Sequence, residues 1–278
     1  PTVLPVELLS RALQMVSPGL VADAEVTIEA NPGTVDSRQL AHLRAAGVTR
    51  LSFGVQSFSD QELRLLGRLH TAEEARHAFR QARSVGFDNI NLDLIYGLPR
   101  QSRGAWRATL EQALALQPEH LSLYALTLES DTPLSLRIAE GVVSDPDPDL
   151  AAEMYERAQA SLAQAGYEQY EISNWAREDR FRCQHNLVYW RNEPYLGIGA
   201  GAHSLAGGRR WANVAAPAEY ISRLLEGRRP VESSEPIGVD LEMGETMMMG
   251  LRLVTEGIEF RRFQARFGVD LRGTYGDE

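Results

Sequence analysis

Apolar positions along this chain alternate between two rhythms. Runs with strand character occupy residues 24–30, 50–56, 89–96 and 120–126. Between them, apolar residues recur near a period of 3.6, which predicts helices over 36–46, 60–66, 71–86, 104–116 and 149–165. Asn31-Pro32-Gly33 breaks the chain after the first strand and Gly97-Leu98-Pro99 after the third, while Gly47, Gly86 and Gly166 stop helices. Thr71 with Glu74 three residues on has the form of a capping box. Strands spaced by roughly 26 to 39 residues suit right-handed βα units, which build a parallel sheet with helices outside it. A further helix, over 5–16, has no strand in front of it. Four such units cannot close an eight-stranded barrel. The expectation is α/β: an open or partial barrel with its chemistry on the rim formed by the strands' C-terminal ends.

The pattern changes after Gly166. Residues 167–213 are rich in aromatics, Gly and Asn and read as short strands rather than helices. Helical segments follow near 217–226, 240–254 and 259–267. The expected division is a βα domain over 1–166 and an α+β domain over 167–278. The acidic, proline-rich stretch 144–149 reads as a loop or the start of a helix.

Composition narrows the chemistry. The chain has 278 residues, 44% hydrophobic and 24% charged, enough to bury a substantial core. Its net charge of −10 argues against a broad nucleic-acid surface. No apolar run approaches the ~18–20 residues of a membrane span. All 28 basic side chains are arginine, which removes Schiff-base lysines and the P-loop lysine. The single cysteine, Cys183, excludes an internal disulfide and any zinc or iron–sulfur site built on several thiolates of this chain.

Glu29, Gln56, Asp93 and Tyr124 stand at comparable places at or near strand ends. On one rim they would converge on one pocket, where carboxylates can bind an amine or ribose hydroxyls and Gln56 offers both a donor and an acceptor to a zwitterionic ligand. Polar strand ends also simply cap turns. In the segment LGRLH, Arg68 and His70 follow a short helix. Arg68 suits a ligand carboxylate in fork geometry, or a helix C-terminus as a favourable cation. The segment from Cys183 to Trp190 places His185 beside Asn186, Tyr189 and Trp190. A flat macrocycle with an axial iron ligand would need such residues, and a buried core histidine would look the same. Residues 195–204 are glycine-rich and allow a backbone to approach a ligand or another strand closely.

Taken together, IEANPGT, LSFGVQSF, LGRLH, NINLDLIYGLP, HLSLYALTLE, YEISN, HNLVYW and YLGIGAGAHS resemble, in order, the oxygen-independent coproporphyrinogen III oxidase-like family of radical SAM proteins. HNLVYW is similar to the haem-binding motif of that family's haem chaperone (HemW-type) branch. The resemblance implies a partial (β/α)6 TIM-like barrel, here without its first strands, followed by an α+β extension. It implies contacts to S-adenosyl-L-methionine (SAM) through Glu29, Gln56, Arg68, Asp93, Tyr124 and Ala125, with a further one near His203. It also implies haem binding at His185, Asn186, Tyr189 and Trp190, with His185 as the candidate iron ligand. The family's CxxxCxxC loop, which holds a [4Fe–4S] cluster, does not occur here. Its ligands are expected upstream of Pro1, and the C-terminal domain is expected to stop short at Gly276-Asp277-Glu278. The implied role is a cytoplasmic protein that binds haem and passes it to a haem-accepting protein, membrane-associated recipients included. The implied alternative is a true coproporphyrinogen III oxidase in porphyrin biosynthesis. A third reading is an aldolase- or isomerase-type barrel, whose Schiff-base version the missing lysine removes and whose other versions the eight motifs disfavour.

Overall fold

The computed structural model describes residues 2–130 and 132–276. The sequence readings that turn on Pro1 and on Asp277 and Glu278 lie outside the described residues. The chain forms two compact units, Pro1–Arg182 and Cys183–Glu278.

The first unit opens with α1 (Val6–Val16), then β1 (Thr27–Ala30), α2 (Ser37–Ala45), β2 (Arg50–Gln56), α3 (Asp60–Leu65), α4 (Ala72–Ser84), β3 (Ile90–Tyr96), α5 (Arg103–Leu116) and β4 (His120–Ala125). It continues through α6 (Pro133–Ala139), α7 (Pro148–Gln164), β5 (Glu168–Glu171) and β6 (Asn174–Ala176). Capping boxes at Asp36/Gln39 and Thr71/Glu74 start α2 and α4. Asp147 caps α7, so the acidic stretch ends as a helix start.

One six-stranded sheet runs in the order β1-β2-β3-β4-β6-β5. The first four strands are parallel, and β6 and β5 add antiparallel at the edge. The expected boundary at Gly166 therefore shifts. Residues 168–176 complete the first sheet, and the division falls after Arg182.

Strand alternation explains where the chemistry lies. Leu51, Phe53 and Val55, Ile90, Leu92 and Leu94, and Leu121 and Leu123 are buried in the core that also holds Leu40, Leu43, Phe79, Trp106 and Leu110 of the surrounding helices. The opposite face of the same strands is polar: Ser52, Asn91, Asp93, His120, Ser122 and Tyr124. A parallel sheet buried on both faces usually reads apolar throughout. Here one face is given over to polar groups.

The second unit holds α8 (Gln184–Trp190), β7 (His203–Ala206), β8 (Arg209–Asn213), α9 (Pro217–Leu225), β9 (Val231–Pro236), α10 (Val239–Gly250), α11 (Phe260–Phe267) and α12 (Leu271–Tyr275). β7, β8 and β9 form an antiparallel sheet. The segment 185–190, expected among short strands, is helical. In the glycine-rich segment, a Cβ on Gly197 would lie 2.1 Å from the His203 carbonyl oxygen, so the close approach read from the sequence is made to another strand.

Candidate functional site

A cleft of about 870 Å³ opens where β1 to β4 end. Glu29, Gln56, Arg68, Asp93, Tyr124 and Ala125 line it, together with Asn31, Gly54 and Ser173.

Gln56 ends β2 in the left-handed region, at φ 67°, where the register between β2 and β3 shifts. A non-glycine residue held there stores strain of about 1–3 kcal/mol, a cost concentrated at functional sites. Arg68 Nη2 donates to the Gly54 carbonyl at 3.0 Å and to Asn31 Oδ1. A Cβ on Gly54 would sit 3.0 Å from Gln56 Nε2 and 3.1 Å from Arg68 Nη2. Glycine at position 54 thus leaves the space in which the amide and the guanidinium meet. Burial lowers the pKa of Arg68, and Asp93 opposes that shift.

Asp93 is held from below. Its Oδ2 accepts from Ser52 Oγ at 3.0 Å and its Oδ1 from Asn91 Nδ2 at 2.8 Å. Burial pushes its pKa up, against the donors Asn91, Ser52 and Ser122 and the charge of Arg50. Asn91 Oδ1 in turn faces His120 Nδ1 at 2.6 Å and accepts from Ser122 Oγ at 3.1 Å. His120 Nε2 lies 2.9 Å from the Tyr170 hydroxyl. Burial keeps His120 well below the ordinary imidazole range, so the ring is neutral. Nδ1 then donates to Asn91, leaving Nε2 to accept from Tyr170. The Tyr124 phenol is raised to about 12 by burial and by Asp93.

The segment LGRLH divides between two environments. Arg68 reaches the cleft, whereas His70 is buried and its Nε2 lies 3.1 Å from the Val55 carbonyl oxygen. Ser52, Asn91, Ser122 and His120 support the cleft without having been singled out in the sequence. Their signal was the alternation of polar residues along RLSFGVQ, NINLDLIY and HLSLY.

His203 belongs to the second unit, at the start of β7, where it is exposed. On α8, His185 is exposed and meets Tyr189 edge-on at 4.8 Å, and Tyr189 meets Tyr195 at 4.6 Å. Burial raises the Tyr189 phenol's pKa. Trp190 does not join this row. Its ring carries the Arg252 guanidinium at 4.6 Å and lines a small separate cavity with Thr246, Gly250 and Leu253. Helical spacing explains the split, since positions four apart share a face and positions five apart diverge. Asn186 is half-buried beside His185, and Cys183 is buried at the N-cap of α8.

Among the described residues no group of three or more His, Cys, Asp or Glu side chains is arranged to hold a metal ion. No helix there is long and apolar enough to cross a membrane.

The radical SAM superfamily matches residues 1–113 and the HemN C-terminal domain residues 241–278. The heme chaperone HemW of Bacillus subtilis (strain 168) is 37% identical over 278 residues, covering 99% of this chain and 73% of that protein. The heme chaperone HemW of Escherichia coli (strain K12) is 43% identical over 222 residues, covering 78% of this chain and 57% of that protein. Among solved structures, the coproporphyrinogen III oxidase HemN of Escherichia coli, a radical SAM enzyme, superposes with a TM-score of 0.81 at 26% identity. That match covers 100% of this chain and 66% of that one.

Proposed function

Because this chain belongs to the radical SAM family, among its heme chaperone HemW-type members, we propose that it is a cytoplasmic haem chaperone: it binds haem and passes it to a haem-accepting protein. We propose further that the cleft on the first unit holds SAM. The donor set supports this. Arg68 and Gln56 suit a carboxylate, Glu29 and Asp93 an ammonium or ribose hydroxyls, and Gly54 leaves room for a ligand beside them. His203 remains a further candidate contact. When bound, SAM supplies a sulfonium-activated methionine. The chain's own part is to bind and orient: Ser52 and Asn91 hold Asp93, and Asn31 holds Arg68.

A [4Fe–4S] cluster does not fit the residues present. Such clusters are held mainly by several cysteine thiolates, and this chain has only Cys183, which is buried. No step is assigned to a cluster here, and cluster ligands are proposed for a longer form of the protein.

The observation that carries the haem reading is the exposed His185 imidazole, set edge-on to Tyr189 on α8. Asn186 and Trp190 are proposed as flanking contacts, Trp190 only if its ring leaves Arg252. The likeness to HemN favours one second reading, coproporphyrinogen III oxidation. An anaerobic assay of the full-length protein separates the two. The chaperone reading expects stoichiometric haem binding and no decarboxylation of coproporphyrinogen III. Turnover of that substrate would replace it with the oxidase reading.

A further inference from the structure

A second cavity of about 470 Å³, sharing no lining residue with the cleft, lies among α3, the loop after β3, the start of α5, and α6 with the turn after it. Arg64, Arg100 and Arg137 line it, each exposed and none with an ion-pair partner among the described residues. Elsewhere several arginines pair with carboxylates: Arg103 with Glu153, Arg83 with Glu119, Arg210 with Glu245. The three guanidiniums concentrate positive charge around one cavity in a chain of net charge −10.

Two further features point the same way. The 14-residue α5 presents its N-terminal end to the cavity through Ser102 and Ala105, adding the positive end of a helix dipole. Gln101 also lines the cavity. It is 4% exposed, its Oε1 accepts from Leu98 N at 3.3 Å, and its Nε2 has no partner among the described residues. A buried amide donor left unmade costs about 1–3 kcal/mol, so a ligand that accepts from it would recover that cost. The carboxylate that lines the cavity is Glu62, which accepts from Ser57 Oγ through Oε2.

We propose that this cavity is a binding site for a small soluble phosphate-bearing anion. Three arginines against one carboxylate leave an excess of two positive charges, which matches a phosphate or diphosphate dianion. A carboxylate would satisfy only one of those charges and offers two oxygens to a larger set of donors. The buried position of Gln101 suits a small group.

The test is calorimetric titration of the chain with pyrophosphate and, separately, inorganic phosphate, in wild type and in Arg64→Gln, Arg100→Gln and Arg137→Gln. The three arginines are exposed and unpaired, so unchanged thermal midpoints in the absence of anion check that the fold is kept. Saturable one-to-one binding is expected, weakened about tenfold by each substitution. A stronger response to pyrophosphate would assign a diphosphate, and equal responses a single phosphate group. Absence of saturable binding, or binding that all three variants leave unchanged, would overturn the proposal.

Discussion

Asn91 Nδ2 donates to Asp93 Oδ1 at 2.8 Å across one pleat of β3. That bond ties the half-buried Asp93 carboxylate of the cleft to the interior, because the other end of the Asn91 amide is fixed by His120 and Ser122. A flip would turn the amide oxygen toward the Asp93 carboxylate, which has no proton to donate while it is ionised. Asp93 is therefore oriented by a layer that itself makes no part of the cleft surface.

The first prediction concerns that carboxylate. In the full-length protein, Asp93→Asn should weaken SAM binding by roughly tenfold to a hundredfold, the worth of a charged hydrogen bond of about 1.5–3 kcal/mol. Equilibrium dialysis with labelled SAM reads it. Unchanged affinity would remove Asp93 from the site.

Gly54 gives a second test. In Gly54→Ala the new methyl meets two mobile side-chain ends, Gln56 Nε2 and Arg68 Nη2, rather than backbone. Stability should change by less than about 1 kcal/mol, while SAM affinity should fall as Arg68 is displaced. Loss of stability with affinity intact would mean that Gly54 serves packing alone.

A third prediction follows from the buried imidazoles. His120 and His70 are both held low, first by burial. Their neutral forms are favoured in the folded chain, so as pH falls through about 6.5 the unfolded chain takes up protons first. Stability is full above that value and is lost below it, by up to about 1.4 kcal/mol per pH unit for each histidine. Asp93 acts in the opposite sense at lower pH, because its raised pKa makes protonation favour the folded state. Urea midpoints should fall between about pH 7.5 and about pH 5.5, and fall less in His120→Gln. A flat wild-type profile would contradict a neutral buried His120.

The iron–sulfur content of the chain is a fourth. Anaerobic reconstitution should leave no thiolate-to-iron charge-transfer absorbance, because a lone buried Cys183 cannot supply a cluster's ligands. Stoichiometric cluster iron on these 278 residues would show that other side chains hold it.

The four parallel strands and their helices were legible because one strand face and one helix stripe are apolar, and each repeats with its own period. The strand-end residues Glu29, Gln56, Asp93 and Tyr124 were legible for a related reason: a polar residue at the end of an apolar run stands out. The support beneath them was not. Ser52, Asn91 and Ser122 meet only through the register between neighbouring strands, which no single segment contains. The helix α8 was missed because it is short, lacks a side-chain N-cap bond and is rich in aromatics that suit strands equally well. With 185–190 helical, His185 and Tyr189 fall on one face and Trp190 on another, a split that a strand reading could not foresee. The edge strands β5 and β6 are too short to show a period, so the change in pattern at Gly166 was mistaken for a boundary.

The most direct test of the haem chaperone reading is a Soret titration of the full-length protein with haem, in wild type, His185→Ala and Cys183→Ser. The account predicts stoichiometric binding in wild type and an unaltered spectrum in Cys183→Ser. In His185→Ala it predicts a shifted Soret band and affinity reduced by about tenfold or more, with a thermal midpoint near that of wild type. Wild-type and His185→Ala spectra that coincide at equal affinity would contradict it, and would leave the imidazole as a surface residue set edge-on to Tyr189.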